Sequence, residues 1–153
     1  MKNKSKLSLD DIGKLIALGA FIFGGWLRVL PPLIAGFPIN DGGLFYIMAQ
    51  AIQVNQYQLP THVQYNGLSV PFAYPPLAFY IASATGDLLS IPLITMFTWL
   101  PAIVLIGTLF AFYALARTIF NTAFKAVIAT LFFAFTPRAI TWLIMGGGLT
   151  RSF

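Results

Sequence analysis

Residues 92–117, PLITMFTWLPAIVLIGTLFAFYALAR, carry no charge before the closing Arg117. A helix needs about 20 predominantly apolar residues to cross ~30 Å of hydrocarbon. This stretch exceeds that, and it reads as a membrane span. Upstream, residues 15–27 are also uncharged; Arg28 interrupts them, and apolar sequence resumes from Val29 to Ile39. Pro31-Pro32 should bend or end that helix, and Ser8 with Asp11 forms an S-x-x-D capping pattern ahead of it. Downstream, Lys125 opens a further apolar stretch to Met145 with Pro137-Arg138 inside it. Between these, Tyr74-Pro75-Pro76 leads about a dozen apolar residues to Gly86-Asp87, marginal for a span.

Composition points the same way. Hydrophobic residues make up 58% of the 153 and charged residues only 8%, against about 25% charged in soluble domains. Mean hydropathy is +0.82. Such a chain has too few polar groups to cover a soluble globule, and a disordered tail is excluded as well. Cysteine is absent, which removes disulfide scaffolds, zinc ribbons, iron–sulfur clusters and thiol chemistry. The net charge of +5 is spread thinly, so it bears on membrane topology and not on nucleic-acid binding. A basic head before an apolar core also fits a signal peptide, but no A-x-A cleavage pattern follows; an uncleaved anchor is expected.

Residues 37–74 contain no Lys or Arg. Within them Leu44, Ile47, Met48, Ala51 and Ile52 recur at helical spacing, with Tyr46, Gln50, Gln53 and Tyr57 as a polar stripe. A helix over 42–54 is about 20 Å long, too short to span, and is expected to lie in the membrane interface. Asn40 or Asp41 would cap its start. Lys2, Lys4, Lys6 and Lys14 place the N-terminus in the cytoplasm, and Arg117 with Lys125 places the next short connection there too. Both hold when residues 75–90 stay on the outer side, giving three spans; four spans is the alternative.

The expectation is thus an all-α integral membrane protein of the cell membrane, with three to four hydrophobic helices and an interfacial amphipathic helix in the first outer loop. It divides into a cytoplasmic tail 1–11, a first span 12–36, an outer loop 37–74, a short helix or span 75–90, spans 92–117 and 124–145, and the start of another loop, 146–153. The bilayer is the first partner implied.

Few residues can carry chemistry. Asp10 and Asp11 start a helix, and Asp87 follows Gly86 as a solvated turn residue. Asp41 stands at the outward end of the first span, as an N-cap, as a surface general base, or as both. Arg28 and Arg138 fall inside apolar segments, where a guanidinium faces a cavity or partner or else snorkels to the headgroups. Each lies ~20 Å up its helix from Lys14 or Lys125, and Arg151 lies just beyond, so three guanidiniums near one carboxylate suit a phosphate-bearing ligand. His62 is a lone histidine and makes no metal site. Gly146-Gly147-Gly148 is not a P-loop, because no Gly-Lys-Ser/Thr follows.

These pieces resemble the N-terminal end of a GT-C fold membrane glycosyltransferase of the protein O-mannosyltransferase and aminoarabinose-transferase type. The likeness runs through Arg28, Asp41 heading the 42–54 helix, Tyr65-Asn66-Gly67, Ala73-Tyr74-Pro75-Pro76-Leu77, Tyr113-Ala114-Leu115-Ala116-Arg117 and Gly146-Gly147. It implies sugar transfer from a polyprenyl-phosphate donor to an acceptor on the outer face. Asp41 would act as catalytic acid-loop carboxylate, Arg28, Arg138 or Arg151 would stabilise the leaving phosphate, and Tyr46, Tyr65 and Tyr74 would line the sugar site. Relatives often carry Asp-Glu where this chain has Asp41-Gly42, so a divalent metal is not supported and no cofactor is expected. Family members are several-fold longer, so the chain is expected to be the N-terminal membrane portion of a longer polytopic enzyme and inactive alone. A transporter module, recalling helices broken at Pro31-Pro32 and Pro75-Pro76, and a non-catalytic membrane subunit are the rival readings.

The charge pattern makes a direct prediction about topology. A single cysteine introduced as Asn121→Cys should react with an impermeant thiol reagent only from the cytoplasmic side; labelling from outside would establish four spans.

Overall fold

The computed structural model describes residues 8–38, 40–137 and 150. Helices α1 (Leu9–Ala35) and α2 (Gly42–Val54) are followed by strands β1 (His62–Tyr65) and β2 (Leu68–Pro71). Helices α3 (Leu77–Leu89), α4 (Leu93–Ile119) and α5 (Ala123–Phe135) complete the order. The chain is mostly helical, and α1 and α4 are long and apolar enough to cross a membrane. It is not all-α, because β1 and β2 form an antiparallel hairpin within residues 37–74.

Helix α1 begins with a complete capping box. The Ser8 hydroxyl accepts the Asp11 amide at 3.1 Å, and the Asp11 carboxylate accepts the Ser8 amide at 3.2 Å. Of the two expectations at Pro31-Pro32, a bend or an end, the helix does not end there; it runs on to Ala35. The two prolines lack the amides that would donate to the Leu27 and Arg28 carbonyls, and the helix continues past them for about one turn. Gly36 stops it, taking the left-handed φ of +68° that favours glycine while its amide donates to the Pro32 carbonyl at 2.9 Å.

Helices α1, α4 and α5 pack together as one unit. Phe21 of α1 stacks on Phe110 of α4 with ring centroids 4.6 Å apart. One cleft is lined by Pro32 with Pro101, another by Lys14 with Arg117, so α1 and α4 run antiparallel. Gly13 lies beside Phe124 and Gly24 beside Ala134, so α1 and α5 run parallel. Leu18, Ile22, Phe23 and Trp26 of α1, Ile103, Phe110 and Leu115 of α4, and Phe132 of α5 face outward. The expected span 124–145 is not one continuous helix. Helix α5 stops at Phe135, one residue short of the Thr136-Pro137 pair, because proline disfavours helical backbone at the residue before it.

Helix α2, the hairpin and α3 build a second core over the first turns of α4. Phe45, Met48 and Ile52 of α2, Val63 of β1, Phe79 and Ala82 of α3, and Phe97 of α4 are among its buried members. The expected apolar face of α2 is therefore displaced. Phe45, Met48, Ala49 and Ile52 point inward, whereas Leu44, Ile47 and Ala51 only flank the core. Helix α2 packs against α3, β1 and α4. Asn66 and Gly67, at φ +52° and +76°, make the two-residue turn between Tyr65 and Leu68. Two positive φ values match the right-handed twist of a hairpin.

Gly24 is tightly placed in the helical unit, where an added Cβ would stand 2.9 Å from the Ala134 Cβ and 3.2 Å from Leu109. Gly24→Ala should destabilise the packing by about 1–3 kcal/mol, read as a lower unfolding midpoint in detergent. Pairing it with Ala134→Gly should recover most of the loss.

Candidate functional site

The first turn of α2 gathers several of the expected site residues. Asp41 occupies the N-cap position and its backbone carbonyl accepts the Phe45 amide at 3.1 Å, yet its carboxylate makes no capping bond. The expectation of a side-chain cap is corrected, and the backbone supplies the reason. N-cap residues that cap are usually extended, whereas Asp41 has φ −70° and ψ 4°. Its preceding residue, Asn40, is left-handed at φ +64°. The side chain is left exposed to solvent.

Two tyrosines meet this turn. A Cβ on Gly43 would lie 3.1 Å from the Tyr65 hydroxyl, so the phenol rests against the backbone two residues from Asp41. Tyr74 sits edge-on to Phe45, with centroids 4.6 Å apart and planes at 78°. Tyr46 is half-buried and packs against the α2–α3 core. Asp41, Tyr65 and Tyr74 thus surround residues 41–45, while Tyr46 is turned toward packing.

Arg28 lies elsewhere, inside the helical unit. It is 0% exposed, so it does not snorkel to a headgroup region. Its Nη1 donates to the Gly24 carbonyl at 2.8 Å and to the Ala134 carbonyl at 3.2 Å. Its guanidinium carbon stands 5.9 Å from the centre of the Phe133 ring. Nε and Nη2 are buried without a hydrogen-bond partner among the described residues. None of these bonds runs to Asp41. Arg138 and Arg151, the other two expected guanidiniums, and the 146–148 glycines lie outside the described residues. His62 is exposed, its Nδ1 3.3 Å from the Thr61 hydroxyl. Among the described residues no group of three or more His, Cys, Asp or Glu is placed to hold a metal.

A polar network that the sequence reading missed ties α2 to α3. Gln53 donates to the Asp87 carboxylate at 2.7 Å and to the Ser83 carbonyl at 3.4 Å, and Tyr57 donates its phenolic proton to the other Asp87 oxygen. Tyr80 donates to the Tyr57 carbonyl at 3.1 Å, and Ser83, fully buried, donates to the Ala49 carbonyl at 3.0 Å. Asp87 is therefore a link between helices, not only a solvated turn residue. The signal was present in the Gln53/Tyr57 stripe, which needed an acceptor from another element.

The chain matches no family model, no curated protein and no solved structure.

The hydrogen bond to Asp87, helped by partial desolvation and by the carboxylate's charge, raises the Tyr57 phenol above its ordinary ionisation range. A folded-state value raised above the unfolded one, about 10 for tyrosine, gives stability that is complete below that pH and lost as pH climbs past the folded value. A tyrosinate absorbance titration should therefore contain a late step. Tyr57→Phe should abolish that step, and Asp87→Asn should move it to lower pH.

Proposed function

We propose that this chain forms the outer-face catalytic-acid region of a membrane glycosyltransferase. Its donor is a sugar carried on polyprenyl phosphate, and its acceptor carries a hydroxyl on the outer face. The observation that carries this reading is the Asp41 carboxylate, which is exposed, released from capping, and set on the rigid first turn of α2 beside Tyr65 and Tyr74.

Membrane residence is supported by the length and apolarity of α1 and α4 and by their outward-facing Leu, Ile, Phe and Trp side chains. Such a surface is large for a protein facing water. The orientation is supported by Lys14 and Arg117 sharing one end of the unit, which the positive-inside rule assigns to the cytoplasm. Asp41, following the far end of α1, then faces outward.

In this mechanism Asp41 accepts the proton of the acceptor hydroxyl as its oxygen attacks the anomeric carbon. The new glycosidic C–O bond forms as the bond from that carbon to the phosphate oxygen breaks. The departing phosphate takes the bonding pair. Preorganised cations suit the charge that develops there, a role for which Arg28, Arg138 and Arg151 are the candidates. Nε and Nη2 of Arg28 have no hydrogen-bond partner among the described residues and so leave it donors to give. Tyr65 and Tyr74 offer ring faces and hydroxyls to a sugar, with Tyr46 behind them. One acid at this point suffices for proton transfer, and no metal enters the scheme.

General-base removal lowers rates by about 10²–10⁴-fold. In membranes holding the complete protein, Asp41→Asn should reduce transfer from a polyprenyl-phosphate-linked radiolabelled hexose by that factor while membrane insertion is unchanged. Normal insertion with full transfer would remove Asp41 from the mechanism.

A further inference from the structure

The end of the helical unit opposite Asp41 holds a separate feature. The inner turns of α1, α4 and α5 enclose a groove of about 240 Å³ whose rim carries Lys14 and Arg117 and whose walls include Ala17, Tyr113, Ala123 and Val127. Arg117 makes no ion pair among the described residues, and Lys14 has only an exposed contact with Asp11 at 3.8 Å, of a kind that contributes little. The two cations are thus available to an anion at the rim. Ala123 is the first residue of α5, whose N-terminal end adds positive potential to the same rim. Below the rim Gly13, Ala17, Ala123 and Val127 are small and apolar and Tyr113 adds a ring; exposed Leu15 of α1 and Leu115 of α4 are one or two residues along the chain from lining positions.

Charge above and hydrocarbon below is the profile of a phospholipid, with its phosphodiester at the rim and its acyl chain along the helices. The anionic lipids of a cytoplasmic leaflet gather at basic pockets between spans.

We propose that this groove binds one anionic phospholipid from the cytoplasmic leaflet, with Lys14 and Arg117 clasping the headgroup phosphate. The proposal rests on the membrane reading and is independent of sugar transfer. The lipid holds α1, α4 and α5 together at the end away from the α2–α3 core. It is a structural ligand, not a substrate.

The test uses full-length protein in detergent, with phosphatidylglycerol and phosphatidylcholine as probes and retained lipid read by native mass spectrometry. Each basic side chain near an anionic lipid surface contributes on the order of a fivefold preference. Wild type should retain one phosphatidylglycerol in preference to phosphatidylcholine, and Lys14→Ala with Arg117→Gln should reduce that preference about 25-fold. Ala17→Leu, which keeps both cations but fills the floor, should also lose the lipid. Lys125→Gln, equally basic but outside the groove lining, should retain it. Equal retention of both lipids, or equal losses from Lys125→Gln, would overturn the site, as would displacement by millimolar inorganic phosphate, which marks a free-phosphate site. Release of wild type from membranes by alkaline carbonate would overturn the membrane reading itself, so the two failures are distinguishable.

Discussion

A guanidinium sealed from water has to be answered by groups that do not move, and the helical unit is arranged around that requirement. Arg28 reaches across α1 to the carbonyl of Ala134, which lies in the last turn of α5, where carbonyls have no intrahelical partner. The positive charge also meets the negative end of the α5 dipole, and Phe133 offers a ring face. Gly24, one turn below, supplies the space that lets α5 come this close. Replacing any of these would leave the arginine further from its acceptors or α5 further from α1. No carboxylate assists. Asp10 and Asp11 begin α1, about 25 Å along the helix, Asp87 is held by Gln53 and Tyr57, and Asp41 follows the helix end. Arginine suits such a place better than lysine, since one guanidinium nitrogen, Nη1, donates to both carbonyls while the delocalised plane presents a flat face to an aromatic ring.

The antiparallel seam between α1 and α4 has a topological consequence. It brings the end of α1 and the start of α4 to the same end of the unit, so everything from Gly36 to Pro92 must be housed there. Those residues include two short helices and a hairpin, none long enough to cross a bilayer. They bury their apolar faces against one another and against the first turns of α4, with Phe45, Phe79 and Phe97 at the centre. A segment with its own core can present a side chain in a fixed position. Asp41 is on the surface at the N-cap of a helix that this core packs. The backbone at Asn40 and Asp41 turns the carboxylate away from the helix amides it would otherwise cap.

Much of this was readable from residue order, and the failures have physical causes. Long uncharged runs and the Ser8–Asp11 pattern located α1 and α4, because length and capping chemistry are local. The Pro31-Pro32 pair is not a helix stop; the helix runs one further turn to Ala35, where Gly36 in the left-handed conformation closes it. Thr136-Pro137 carried the correct stop signal for α5, but continuous hydropathy beyond it outweighed that signal. The apolar stripe on α2 was read one position off its true centre, because Leu44 and Ile47 are as apolar as Phe45 and Met48. Only α3 and β1 decide between them. The hairpin should have been found, as Asn66-Gly67 between short β-prone segments is a strong turn signal. The Gln53–Tyr57–Asp87 link could not be found that way, since its partners are 30 residues or more apart.

The same separation explains how the charges are divided. Where Arg28 is buried, the protein meets it with backbone and an aromatic ring. Where cations stand at a rim beside an apolar groove, it leaves Lys14 with only an exposed contact with Asp11 and Arg117 with no ion pair among the described residues. Where a carboxylate is exposed, at Asp41, it withholds the helix amides that would hold it. In a chain that is 8% charged, groups left free in this manner are not absorbed by a general background of surface ion pairs. The two locations lie at opposite ends of the α1–α4 seam, so a ligand drawn to one does not meet the other. Arg28 stands between them, and its Nε and Nη2, without a hydrogen-bond partner among the described residues, are the part of the interior that packing alone has not satisfied.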